Sequence, residues 1–237
     1  MTWNLTPDPK HLSRIDTILA GTQRFGKLPR NVLERIAAIA SPRHFTAGQV
    51  IYIEGEPADA FYLLERGWVK ATRMSRVGRE QAMLFLETGE VFGDVAVFSG
   101  TTYPGTVSAL EDLDVWVIPA KEFLALIEQY PELAMAVIHH LSDRILHYIG
   151  MVEDLSLRNV ESRLASTLLQ HAEVIDGQTL VPRRQWTTFD EMAVRLGTVR
   201  DVLSRALKTL EGEGLLRVEK QAIILLDTKG LAERYNL

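Results

Sequence analysis

An α+β fold is what the sequence predicts, and three observations predict it. Short β-rich runs separated by glycines occupy residues 44–119. Apolar residues then recur at alternating spacings of four and three from Ala134 to Leu155. Two short helical patterns flank Gly197, and a pair of β-rich runs follows them. Strands at short, even intervals argue for a sandwich or barrel, and sustained 4-3 spacing for one long helix. The last pattern argues for a helix-turn-helix with a β-hairpin wing. Three regions are therefore expected: 1–130, a roll with N-terminal helices; 131–158, the long helix; and 159–237, the winged helix-turn-helix.

Residues 1–40 read as two helical pieces. Pro7 and Pro9 precede the first, and Leu28–Pro29 precedes the second, Asn31–Ala40, whose Val32, Leu33, Ile36 and Ile39 share a packing face. The strand candidates are Val50–Ile53, Phe61–Leu64, Trp68–Thr72, Gln81–Leu86, Thr106–Leu110 and Val115–Ile118. Gly48, Gly55, Gly67, Gly78, Gly89 and Gly93 punctuate them. Lys121–Gln129 reads as a short helix, and Pro131 opens a long one reaching about Arg158. Along it Ala134, Ile138, Leu141, Ile145, Tyr148, Val152 and Leu155 form a seam of the sort that lets two helices supercoil, so a parallel homodimer is expected. Leu133, Val137, Leu146 and Ile149 lie on another face, expected to pack on the roll. Asn159 is placed to cap the next helix, which carries the stripe Val160, Leu164, Thr167, Leu168 and Ala172. Asp176–Gly177 marks a turn, and Leu180–Val181 a strand.

The stretch Thr187–Leu216 carries the functional signal. Thr188 and Glu191 form a capping box at the start of one helix, Met192, Ala193 and Leu196 give its inner face, and Gly197 suits a tight turn. Thr198 is the expected N-cap of the second helix, with Asp201 favoured near its positive end. At about 100° per residue, Val202, Leu203, Ala206, Leu207 and Leu210 share one side of that helix. Arg200, Asp201, Ser204, Arg205 and Lys208 fall within an arc of roughly 140° on the other. A solvated charged face is the plain explanation. The capped helix–turn–helix setting, with Gly214–Val218 and Ala222–Leu226 behind it as a wing, favours double-stranded DNA as partner. Arg200 and Arg205 suit guanine O6/N7, Asp201 can accept from cytosine N4, and Ser204 can serve either kind of base.

Charge is compatible with this once it is divided. Residues 159–237 hold 11 Lys+Arg and 11 Asp+Glu, while residues 1–158 hold the other 15 and 20, so the whole net charge of −5 lies there. DNA affinity should come from a local patch of Arg183, Arg184, Arg195, Arg200, Arg205 and Lys208. With 46% apolar residues, no apolar run long enough to span a bilayer and no hydrophobic leader, a cytoplasmic protein without a membrane partner is expected. Zero cysteines exclude disulfides, thiol redox sensing and Cys-ligated iron–sulfur clusters.

The order of roll, long helix and winged helix-turn-helix resembles the CRP/FNR family of bacterial transcription regulators over about residues 20–227. The most specific parts are Gly89-Glu90-Val91-Phe92-Gly93-Asp94 and Arg200-Asp201-x-x-Ser204-Arg205. The resemblance implies that the β-rich part is a cyclic-nucleotide-binding-like β-roll of the jelly-roll kind, followed by a dimerisation helix, with RNA polymerase as a partner and DNA reading by Arg200, Asp201, Ser204 and Arg205, with Lys208, Thr188 and Thr198 beside them. It also implies an effector pocket around Gly93, Asp94, Val95, Tyr103, Thr106 and Tyr148. Departures bear on the effector. Asp94 stands where the cyclic-nucleotide branch has Glu, and its phosphate-neutralising Arg falls on Tyr103–Pro104. The polar pair that meets adenine falls on Tyr148–Ile149. A buried phosphate without a cation is costly, so cyclic AMP is not expected. Some other small molecule in the roll, haem for sensing NO or CO through His44, His139, His140 or His147, and regulation without any effector stay open. Asp190 stands where relatives often place a phosphate-contacting Gln or Arg, which weakens that anchor.

Two rival classes are weaker. A metal enzyme on the roll would want His-x-His, a Glu and a later His within the strands, and residues 45–119 contain no histidine, so neither an enzyme nor a metal site is expected. A ligand-binding module alone would not carry the reader at 187–226.

Overall fold

The computed structural model describes residues 15, 17–19, 25–74, 80–182 and 189–235; the side chains at 80, 81, 147, 151, 154, 155, 190 and 235 lie outside the description. The chain divides into two compact units, Met1–Ile145 and Leu146–Leu237.

In the first unit, eight strands form two antiparallel four-stranded sheets. One has the order β1 (Ser41–Phe45), β8 (Leu113–Pro119), β3 (Ala60–Arg66), β6 (Val91–Phe92). The other runs β2 (Val50–Tyr52), β7 (Thr106–Ala109), β4 (Trp68–Met74), β5 (Glu80–Glu87). All six expected runs are strands. Phe45, Tyr52, Tyr62, Leu64, Val69, Leu86, Phe92, Val107 and Val115, drawn from both sheets, pack as one interior. Because side chains alternate along a strand, the continuous apolar runs of β3 and β8 must bury both faces. Tyr62, Leu64 and Val115 point into the roll, whereas Phe61, Leu63, Trp116 and Ile118 point outward to the helices. Those helices are α1 (Arg30–Ile39), α3 (Ala120–Gln129) and the start of α4 (Pro131–Leu157), supplying Val32, Ile36, Phe123, Leu133 and Val137.

Besides the single 3-10 turn Phe25–Lys27, three elements in this unit were not foreseen. β1 has a single buried residue, Phe45, and carries Pro42 on a sheet edge, so alternation gave no signal. β6 is two residues long. The third, α2 (Asp94–Ser99), is one short helix closed by left-handed glycines at both ends, Gly93 and Gly100. At the turn between β3 and β4, Gly67 has φ 105°, and a Cβ there would stand 2.6 Å from that of Leu113, so only glycine fits.

Helix α4 spans 27 residues. Leu133, Ala136 and Val137 are buried, and Leu141, expected in the seam, is drawn instead against that core. Ile138, Ile145, Tyr148 and Val152 of the seam are exposed by 53, 59, 41 and 62%; Leu155 falls among the side chains outside the description. Leu146 and Ile149, expected to pack on the roll, are instead 66 and 57% exposed. Among the described residues no helix is long and apolar enough to cross a membrane.

The second unit holds α5 (Val160–Gln170), α6 (Phe189–Arg195), α7 (Arg200–Gly212) and α8 (Thr228–Tyr235) around a sheet ordered β11 (Leu216–Val218), β12 (Ala222–Leu225), β10 (Gln178–Pro182), β9 (Glu173–Ile175). Asn159 caps α5 as expected, its side chain accepting from the Ser162 N–H at 2.8 Å. Asp176 and Gly177 have φ of 50° and 77°, the pair of positive values that a tight hairpin between β9 and β10 needs. Leu164, Leu168, Ala193, Leu203, Leu207, Leu210, Ile223 and Leu231 form its core. The wing is thus half of a four-stranded sheet rather than a lone hairpin; β9, exposed throughout, lacked the alternation that would announce it.

Candidate nucleic-acid interface

The reader begins with the turn that joins α6 to α7. The Gly197 N–H donates to the Val194 carbonyl at 3.0 Å and the Thr198 N–H to the Ala193 carbonyl at 2.8 Å. With Gly197 at φ 60°, this is a Schellman closure, which satisfies two carbonyls at the end of α6. The expectation that Thr198 caps α7 is corrected: the helix starts at Arg200, which puts the cap position one residue later than Thr198. The N-cap is Val199, in extended conformation and without a side-chain cap bond. Its carbonyl accepts from Val202 and Leu203 at 3.1 Å each, but its methyls accept nothing. Val199→Ser should therefore supply the missing acceptor and raise stability by about 0.5–2 kcal/mol. Thermal unfolding checks this, and an unchanged midpoint would count against it.

On α7, Leu203, Ala206, Leu207 and Leu210 are buried and Val202 is half-buried, so the apolar side is the one expected. Arg200, Asp201, Arg205 and Lys208 are exposed, with Ser204 half-exposed between them. The helix is held from behind: Glu211 accepts from the Val218 N–H of β11 at 2.9 Å, and Arg217 pairs with Glu219 in the wing at 2.9 Å. Three cations and one carboxylate thus stand on a rigid, outward face, with two planar guanidinium groups near its start. That chemistry suits base edges and phosphates. Arg195, counted in the basic patch, departs from it, because its Nε and Nη2 atoms are buried. Thr187, Thr188, Arg183 and Arg184 lie outside the described residues, as does the side chain of Asp190.

The proposed effector residues of the roll are brought close, but into engagements of their own. Gly93 is the left-handed residue before α2, and a Cβ there would meet Tyr103 Cε1 at 3.2 Å. Asp94, at the start of α2, is 1% exposed. Arg144 of α4 donates from Nη1 to both its oxygens, at 2.8 and 3.0 Å, and His140 Nε2 lies 3.2 Å away. Burial, the largest influence, would push this carboxyl up; the His140 hydrogen bond and the Arg144 charge together outweigh it and hold it below the usual carboxylate range. Tyr103 is buried, stacked on Tyr52 with ring centroids 3.8 Å apart, and its hydroxyl donates to the Ala60 carbonyl. Tyr62 and Phe92 stack beside them at 5.0 Å. Thr106 accepts from the Glu54 N–H at 3.0 Å, and Val95 is exposed. Tyr148 belongs to the second unit.

Arg144 was missed as Asp94's partner, although it lies one turn from His140 on the same helix face. His140, noted for haem, has its ring on Asp94, and His44 pairs with Asp114 at 2.9 Å. The place where a phosphate-binding arginine would stand holds a phenol already committed to a backbone carbonyl. These residues do not fit a cyclic phosphate at that position.

Comparison with known proteins matches residues 42–130 to the cyclic nucleotide-binding domain and residues 162–234 to the Crp-like helix-turn-helix domain. A CRP-like cAMP-activated global transcriptional regulator of Mycobacterium tuberculosis is 24% identical over 223 residues, 93% of this chain and 99% of the relative. A global nitrogen regulator of Synechococcus elongatus is 29% identical, covering 89% of this chain and 92% of its own length. The crystal structure of a CRP/FNR-family transcriptional regulator from Thermus thermophilus superposes with a TM-score of 0.66 at 26% identity, over 83% of this chain and 99% of that one. With both domains in the same order and nearly the full length of these relatives matched, the chain belongs to the CRP/FNR family of DNA-binding transcription regulators, a non-enzymatic family.

Proposed function

We propose that two copies of the chain pair through α4 and place their α7 helices in successive major grooves of a pseudo-palindromic operator, in the cytoplasm, where RNA polymerase responds to the bound dimer. The observation that carries this is the exposed apolar line Ile138, Ile145, Tyr148 and Val152 at 7-3-4 spacing on one long helix, together with the outward face of α7. Four large apolar side chains at that spacing want a partner, and a parallel copy supplies the same line. Arg200, Asp201, Ser204 and Arg205 read bases, while Lys208 contacts phosphate.

A small effector in the roll shifts the balance between DNA-competent and incompetent arrangements to the extent that it binds one of them better. Tyr103 within its aromatic stack, and Asp94 already neutralised by Arg144, favour an effector other than a cyclic nucleotide. The test has two parts. Sedimentation with operator selection from random DNA should give a dimer and a two-fold-related sequence; a single subunit, or sites without a dyad, would overturn the reading. A visible spectrum and native mass spectrum then separate a bound small molecule from haem and from regulation without effector.

A further inference from the structure

The joint between the long helix and the reader is gripped by the side chain of Arg163. Helix α4 ends at Leu157, α5 starts at Val160, and only Arg158 and Asn159 separate them. Asn159 fixes the start of α5 through the buried Ser162. Arg163, the fourth residue of α5, turns its guanidinium back across the joint. Its Nη1 donates to the Arg158 carbonyl at 2.7 Å and its Nε to the Leu196 carbonyl at 3.0 Å. Arg158 directly follows α4, and Leu196 directly follows α6, at the turn that launches α7.

Carbonyls at a helix end lack a next-turn N–H, and the end carries partial negative charge. One planar, permanently charged fork therefore satisfies two such ends at once, and does so from a half-buried position. Lysine could reach either carbonyl as a point charge but could not span both with fixed geometry. Asn159 caps the start of α5 without Arg163; what Arg163 adds is a link from the end of the long helix to the end of the helix before the reader.

We propose that Arg163 is a positioning residue, which sets the angle at which α7 is carried from the end of α4 and so the half-site separation the dimer accepts. This rests on the homodimer reading above. A rigid joint passes a fixed separation of the two long helices on to the readers, whereas a loose one lets each reader swivel independently.

The experiment uses the full chain as wild type, Arg163→Lys and Arg163→Gln. The probes are the operator selected by wild type, the same operator with one or two base pairs inserted or removed at its centre, and a duplex carrying one half-site. Each inserted base pair moves the second half-site by about 3.4 Å and turns it by about 35°. Wild type should prefer its own spacing by about tenfold or more, and Arg163→Gln should reduce that preference to about threefold or less, a drop on the scale of one ordinary hydrogen bond's net contribution. Arg163→Lys should fall between, and single half-site affinity should stay within about threefold in all three proteins. Variants that keep the wild-type spacing preference would overturn the proposal. So would variants that lose half-site and operator affinity by the same factor, because Arg163 would then only hold the unit together. A wild-type protein that sediments as a single subunit would instead bring down the dimer reading beneath.

Discussion

Asp94→Ala should destabilise the first unit by about 3 kcal/mol, the low end of what breaking a buried ion pair costs. The low end applies because Arg144 and His140 keep 24 and 21% of their side-chain exposure, so water can partly take over when the carboxylate is gone. The same group gives stability a dependence on acid. Its folded-state value lies below the ordinary 3.8, so the native state holds the ionised form more tightly than the unfolded chain does. The contribution is therefore complete above the unfolded value and is lost as pH falls below 3.8 toward the folded one. Asp94→Asn should remove that part of the acid limb as well as most of the stabilisation, since a neutral amide offers Arg144 no charge. Urea unfolding at pH 7, and then stepwise from pH 5 downward, would show this. Equal loss of stability with pH in wild type and Asp94→Asn would mean that the cluster is not holding α2 to α4.

Arg205→Ala should weaken operator binding by about 1–3 kcal/mol and relax preference at one G·C pair, the signature of a bidentate guanine contact. The basis is its exposed place on α7, one turn after Asp201, whose carbonyl receives its Nε only at a long 3.4 Å. Little is given up when the guanidinium turns to a base. Lys208→Ala should weaken all sequences alike and reduce the slope of affinity against salt by about one counterion. Binding titrations on the selected operator and on single-base variants, at several salt concentrations, separate the two outcomes. An Arg205→Ala protein with unaltered base preference would place the reading elsewhere on the helix.

What could be read from residues alone followed the strength of the local pattern. The faces of α7 were legible because Leu203, Leu207 and Leu210 recur at helical spacing against five polar positions. The six expected strands of the roll were legible because aromatic and β-branched runs lie between glycines that the turns require, as Gly48, Gly67 and Gly89 show by their positive φ. β1, β9 and α8 were not, because their exposed or short sequences are held by neighbours rather than by their own periodicity. Thr198 was misassigned for a related reason. A threonine before a helix is usually its cap, and nothing local announces that this helix starts one residue later, at Arg200. The Asp94 cluster and the Arg163 clamp join residues 50 and 33 positions apart, so their chemistry appears only when the chain is folded.

The stacked tyrosines of the roll have a consequence for alkali. Burial, above all, pushes the phenols of Tyr52, Tyr62 and Tyr103 above their ordinary 10.0. The intact roll thus resists their ionisation, and the stability this represents is present below pH 10 and drains away as pH climbs past it. When the sheets part, these phenols ionise at their ordinary value, and the ultraviolet absorbance of phenolate becomes an optical signal of that opening.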